Sequence, residues 1–319
     1  MTSGGNVDVA FAHEPVGDYA GDPASPTYKT PGRNGQVDNL EFDNDPTRQR
    51  NWGNETEETV EGSFEGSFSL SFDLVDPWWL NQLFGQPPSD GGESSAPYSY
   101  TWEFVSGEMQ SARWYVGADL VNGFAERELK GVVFEQADVE ISIGDPVRVS
   151  LSGFYADETP NASFTPGSQP TTDGTPLIFH GGSIQIPEST DIARPQTGTL
   201  SIQTGARPQR EWARQPVAAV AGNINPTLNL SSIVTETNLL ELGLGGSDGP
   251  ATSVDGAADG ELAFGSPGAN ALRFPMEGIT HSAYAWENIG NAEEDLTDGN
   301  DLVIDRLTAV AEAAAAEAK

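Results

Sequence analysis

The chain has no cysteine among its 319 residues. It therefore has no disulfide framework, no thiolate metal site and no cysteine nucleophile, and thiols say nothing about its redox compartment. Positive charge is scarce too. Lysine and arginine total 15 against 48 aspartates and glutamates, a formal net charge of -33, and the only lysines are Lys29, Lys130 and Lys319. Phosphate contacts need clustered Lys and Arg, and the chain has no basic patch, which argues against a nucleic-acid surface. So acidic a surface repels itself in dilute buffer and stays hydrated in concentrated salt, where the screening length is about 3 Å at 1 M. The composition predicts a halophilic origin. No run approaches the roughly 18 apolar residues of a membrane span. The opening stretch MTSGGNVDVAFAHEPVGDYA lacks the basic start and apolar core of a secretory signal. These absences predict a protein kept soluble in the cytoplasm, or one that leaves it by a route other than secretion.

What the chain does have is a phrase used twice. RQRNWG (Arg48–Gly53) returns as RPQREWA (Arg207–Ala213), with Gln49, Arg50 and Trp52 matching Gln209, Arg210 and Trp212. At a constant shift of 160 the match runs ungapped from Asn39 to Gly85, and ten of the 47 pairs are identical, against about 3 expected by chance. Leu40 matches Leu200, Gly62 matches Gly222, Leu70 matches Leu230, Leu80 matches Leu240 and Gly85 matches Gly245. Both copies place apolar residues on one parity: Phe64, Phe68, Leu70, Phe72 and Leu74 in one, Ile224, Leu228, Leu230 and Val234 in the other. That alternation predicts a half-buried strand. A short helix should follow each strand. In DPWWLNQLFG, Asp76 stands at the N-cap, Pro77 at the first helical position and Gly85 just past the end; ETNLLELGLG is the counterpart. Downstream, SARWYVGADL (Ser111–Leu120) resembles SAYAWENIG (Ser282–Gly290) at a shift about ten residues longer. The pattern predicts duplication of one β-rich module, the alternative being two amphipathic strands that arose independently.

The segments YSYTWEFVSG, SARWYVGA, GVVFEQADVEISIG and PVRVSLSGFYA alternate like strands, the last two parted by a GDP turn. The organisation read from these signals is an extended arm over residues 1–35, a β module over 36–160, a Pro, Gly, Ser and Thr-rich linker over 161–176 and a second β module over 177–319. The end of the chain begins like a strand and finishes as an alanine-rich segment of high helix propensity.

Catalytic machinery is missing from the pattern. The three histidines, His13, His180 and His281, carry no partner motif. GxSxG, a Walker loop, GxGxxG and HExxH are all absent. Paired carboxylates have no discriminating power in a chain this acidic. The acidic stretch EEDLTDGNDLVID offers Glu293, Asp295, Asp298 and Asp301 as a weak oxygen-ligand cluster without EF-hand spacing, and a solvated acidic loop is the plainer reading. Trp78 and Trp79 on the helix, and the recurring Trp52 and Trp212, point to core or subunit-interface packing rather than ligand stacking. No cofactor is implied.

A long amphipathic strand (GSFEGSFSLSFDLV), a short helix (WWLNQLFG) and, after a loop, LKGVVFEQADVEISIGDPVRVSLSGFYADE together resemble the major tail tube proteins of long-tailed double-stranded DNA viruses. The resemblance covers residues 39–158 well and the second half through its repeat. It implies a mainly β fold: two tandem antiparallel β-sandwich or barrel modules, each with one short helix, whose sheets join around a ring. Single-module relatives form rings of six, so two modules per chain imply trimers of pseudo-sixfold outline. Stacked rings would form a tail tube through which viral DNA passes without specific binding, with tape-measure, tail-terminator and baseplate proteins as partners and no membrane. The arm would help the rings to stack, so deleting Met1–Pro31 should impair stacking and leave the modules folded. With the acidic composition the resemblance points to a virus of salt-loving archaea, its tail assembled in the host cytoplasm. Other readings are a baseplate or capsid-decorating protein, a carbohydrate- or cell-surface-binding β-sandwich, and, last, a hydrolase.

Overall fold

Alternating apolar and polar side chains make most of this chain strand, because a sheet that buries one face needs apolar groups at every second residue. The structure, a computed structural model, describes residues 7–23, 26–50, 52–53, 57–120, 123–161, 174–192, 194–246, 249–250, 258–265 and 271–313. In the first half the elements are β1 (Val7–His13), β2 (Gly32–Asp43), β3 (Thr47–Arg50), β4 (Glu57–Val60), β5 (Glu65–Leu74), α1 (Leu80–Phe84), β6 (Ser89–Asp90), β7 (Tyr98–Trp102), β8 (Ala112–Leu120), β9 (Gly123–Ser142), β10 (Arg148–Tyr155) and β11 (Asp157–Asn161). The second half contains β12 (Ser183–Gln185), β13 (Pro195–Gln203), β14 (Arg207–Gln209), β15 (Ala218–Val220), β16 (Asn225–Ile233), α2 (Asn238–Leu244), β17 (Ala258–Phe264), β18 (Ala271–Glu287), β19 (Thr297–Val303), β20 (Arg306–Leu307) and β21 (Ala309–Ala313).

One antiparallel ladder runs through both halves in the order β2–β5–β10–β9–β13–β16–β19–β18. Its first four strands come from the first half and its last four from the second, each quartet in the same order. Irregularities recur with it. A bulge falls beside Gly153, opposite Phe134, and again beside Leu302, opposite His281. The outer strand of each quartet leaves the ladder at a glycine of positive φ, Gly131 at 70° and Gly278 at 71°, and continues into a second layer. Only glycine adopts that conformation at little cost. Gly62 and Gly222 also match: a Cβ on either would lie 2.1 Å from a carbonyl oxygen, that of Asp45 or of Gly205.

In the second layer, β1, β8, the first part of β9 and β11 pair in that order, and β12–β17–β18–β21–β7–β6 forms the other group, with β20 also on β18. The apolar face of the ladder packs under this layer and α1, with Phe68, Phe72, Trp79, Phe134, Val139, Leu200, Leu228 and Leu302 almost fully buried. β21 pairs with β7, so the C-terminal strand joins the two halves directly.

Three expectations change, and the strand expected at the start of the chain end is present. The N-terminal segment is not wholly an arm: β1 pairs along its length with β8, and Phe11, fully buried, stacks on Trp114 with ring centroids 4.7 Å apart. Deletion of Met1–Pro31 would therefore remove core. α1 begins at Leu80 rather than after an Asp76 cap, because the Leu80, Asn81 and Gln82 amides bond three residues back, to Pro77, Trp78 and Trp79. SARWYVGADL lies on β8, whereas the β18 residues that resemble it occupy the ladder position of β9; Gly131 and Gly278 fix that correspondence at 147 residues, not 171. The chain end is strand through Ala313. Residues 162–173 of the expected linker and 314–319 of the alanine-rich tail lie outside the described residues.

Candidate assembly surfaces

The ladder has one apolar face and one polar face. The polar face is formed by small hydrogen-bonding side chains: Ser67, Ser69 and Ser71 on β5, Ser150 and Ser152 on β10, Thr197, Thr199 and Ser201 on β13, and Asn229 and Ser231 on β16. Asp138, Glu140 and Asp301 add negative charge, and Arg148 is held by Asp73 at 3.3 Å and Ser71 at 2.7 Å. A shallow hollow of about 420 Å³ crosses four neighbouring strands here, from Glu140 through Thr199 and Asn229 to Asp301. The halves meet on it at Ser201, which donates to Asp138 at 2.6 Å.

At the β9–β13 junction Val139, Ala137, Leu200 and Ile202 are fully buried. Among the described residues the two ends of the ladder, β2 and the second part of β18, each have a ladder partner on one side only. There two of the four residues equivalent to the junction pairs lie open, while Leu40 and Tyr284 are partly buried. Phe42 stands where Ile202 stands and is 52% exposed; Trp286 stands where Val139 stands and is 44% exposed. Fastening behind β2 comes from Arg127, which donates to the Leu40 carbonyl at 3.0 Å and forms a two-point ion pair with Glu158, and from Tyr155, whose hydroxyl donates to the Glu41 carbonyl at 3.0 Å.

Between β2 and β5 the chain leaves the ladder as the hairpin β3–β4, and between β13 and β16 as β14–β15. Trp52 and Trp212 stand on these hairpin loops fully in solvent, so of the two expected roles, core or subunit-interface packing, the core is ruled out. Arg210 ties its hairpin back to the first half, donating to the Phe64 carbonyl at 2.6 Å and pairing with Glu65 at 3.3 Å, and it braces the hairpin itself through the Arg214 carbonyl at 2.8 Å. Its counterpart Arg50 lies exposed at the end of β3. Leu70, Leu80 and Leu230 are buried and Leu240 half-buried; Gly85 and Gly245 end their helices at φ 79° and 78°.

The acidic stretch does not converge. Glu293 and Asp295 sit in an exposed turn, Asp301 lies on the polar face, and Asp298 points into the core, where it accepts from the Ser232 amide at 3.1 Å and hydroxyl at 2.6 Å. Among the described residues no group of three or more His, Asp or Glu could hold a metal ion. Asp298, Asn300, Ser232 and His281 occupy the ladder positions of Val149, Leu151, Phe72 and Phe134, so the second half carries a polar network where the first is apolar. This network escaped the sequence reading, although Ser232 for Phe72 was its visible sign. Burial holds His281 below its usual pKa, and its Nε2 lies 3.1 Å from the Asn300 amide oxygen. Burial, helped by the charge of Lys29, lowers His13 to about 3, and its Nδ1 accepts from the Gln82 amide at 2.8 Å. Glu14 is buried and raised by desolvation despite hydrogen bonds from the Ser111 hydroxyl and the Gly131 amide. His180 lies on a single turn of 3₁₀ helix.

Side chains that hold strands, rather than groups aimed at a common reacting atom, define the class: a β-built structural protein with an open-ended sheet. A family model described as phage tail tube protein matches residues 6–305, nearly the whole chain, and the chain belongs to that family. It is a structural protein of the virion tail that self-associates into a tube with other tail proteins, and it is not an enzyme. No curated protein matches it.

Proposed function

We propose that three chains close into a ring of pseudo-sixfold outline, and that stacked rings form the tail tube that conducts viral double-stranded DNA. The carrying observation is the junction inside the chain. There the outer strand of one quartet pairs with the opening strand of the next, and the same two strand types are left at the free ends. Pairing β18 of one chain with β2 of its neighbour in the register of β9–β13 puts Trp286 opposite Leu40 and Tyr284 opposite Phe42. Half-exposed aromatics of this size bury roughly 100 Å² each on pairing, about 5 kcal/mol per junction for Phe42 and Trp286 together. In the same register Arg50 would hook the Ile224 carbonyl of the neighbouring chain as Arg210 hooks Phe64. A closed ring also removes both sheet edges, which would otherwise template aggregation.

Two modules of common origin account for the repeated ladder order, bulge and bend glycines. The polar face then lines the lumen, where hydroxyls and carboxylates let phosphates pass without a cationic grip. A long-tailed virus of a salt-loving archaeal host fits the charge of -33. Phe42→Glu with Trp286→Glu should yield folded monomers where the parent chain yields rings in molar salt. Rings from the double variant would refute this interface.

A further inference from the structure

The two halves depart from their common plan at one edge of the second layer. β11 and the pair β20–β21 hold the same position, each laid along the strand that bends at Gly131 or Gly278. Asp157 lies opposite Lys130 and pairs with it at 3.7 Å; Arg306 lies opposite Glu277 and pairs with it at 3.4 Å, the same bridge with its charges exchanged. The entry is alike too, the Ala156 amide donating to the Lys130 carbonyl and the Asp305 amide to that of Glu277. Along this match Pro160 falls where Ala309 falls. What lies outside differs. β21 carries β7 on its outer edge, with Ala309 opposite Trp102 and Ala311 opposite Tyr100, whereas β9 is the only ladder partner of β11 among the described residues.

Two features account for the difference. The Thr308 amide donates inward, to the Pro275 carbonyl at 3.1 Å, so the Ala309 amide turns outward, to β7. Pro160 has no amide hydrogen to offer at that point, and a proline on an edge strand blunts it against a further strand. The second half also lacks the length for a counterpart of β6 and β7. Ala112 and Ala258 match, each pairing with the residue after its bend glycine. Twenty-six residues separate Gly85 from Ala112, but twelve separate Gly245 from Ala258, and the fourteen missing are as many as 89–102 contains. We propose that a ring of these chains is laced in its second layer only within each chain, by β7 on β21, and that the three seams between chains stay open there; this rests on the ring reading above. At such a seam the preceding chain has no β7 to give, and β11 presents Pro160. The chain is then the rigid block of the wall. A junction of one ladder opens at lower cost than one of two layers, so bending or widening of the tube is taken up along the seams.

Hydrogen–deuterium exchange of rings assembled in molar salt tests this. Amides of the β18–β2 junction, 37–43 and 280–287, should exchange about tenfold faster or more than those of the β9–β13 junction, 136–142 and 197–203. Ala309→Pro gives the second half the proline that the first half has. Its rings should still form, with exchange at β9–β13 raised about fivefold or more, toward the rate between chains. Equal exchange at the two junctions of the parent ring would overturn the open seam, and so would an Ala309→Pro ring whose β9–β13 junction exchanges as in the parent. Should Ala309→Pro fail to fold, the comparison within the parent ring decides. A parent chain that forms no rings would refute the ring reading itself, and the seam with it.

Discussion

Acidification should loosen the N-terminal strand through His13. Its imidazole is neutral in the fold, with Nδ1 accepting from Gln82 and Nε2 shielded from water. Burial first, and the charge of Lys29 second, lower its pKa from 6.5 to about 3. Between those values the unfolded chain binds a proton that the folded chain does not, so stability falls as pH falls. At roughly 1.4 kcal/mol per pH unit, the loss between pH 7 and pH 4 is about 3 kcal/mol at most, since the residue as a whole is only half-buried. His13→Gln keeps an acceptor for Gln82 but cannot titrate. Glu14, raised by burial, acts with the opposite sign and is common to both proteins, so it cancels in the comparison. Denaturant unfolding in molar salt, followed by tryptophan fluorescence on the monomeric edge variant, should show the His13 chain losing more stability than His13→Gln between pH 7 and pH 4, by up to about 3 kcal/mol. Equal losses would refute the reasoning.

Two further outcomes follow from particular positions. Gly131→Ala and Gly278→Ala should each cost roughly 2 kcal/mol in thermal unfolding, because both bends need positive φ, and the added methyl would meet the Ala156 side chain in one case and Asp305 in the other. Asp298→Ala should cost about 1–3 kcal/mol by stranding the buried Ser232 amide and hydroxyl, whereas Asp301→Ala on the open polar face should change unfolding by less than about 0.5 kcal/mol.

The parity of Phe68, Leu70 and Phe72 made β5 legible, because one buried face imposes period two. Gly85 and Gly245 were legible as helix ends, since a left-handed C-cap selects glycine. The true partner of β9 was not. Gly131 and Gly278 look like any other glycine until the bend is seen, and chance matches between SARWYVGADL and SAYAWENIG outweighed them. The strand β1 was hidden because VDVAFAH is short and flanked by turn formers, while its stability comes from long-range contact with Trp114. The exposure of Trp52 and Trp212 could not be read either: recurrence shows that a position matters, not which side of it meets water.

Electron cryomicroscopy of the assembled protein in molar salt tests the central claim most directly. The account predicts three chains per ring, with β18 of each chain laddered to β2 of the next and Trp286 opposite Leu40. Six chains per ring, or rings that leave Phe42 and Trp286 in solvent while joining through other strands, would contradict it.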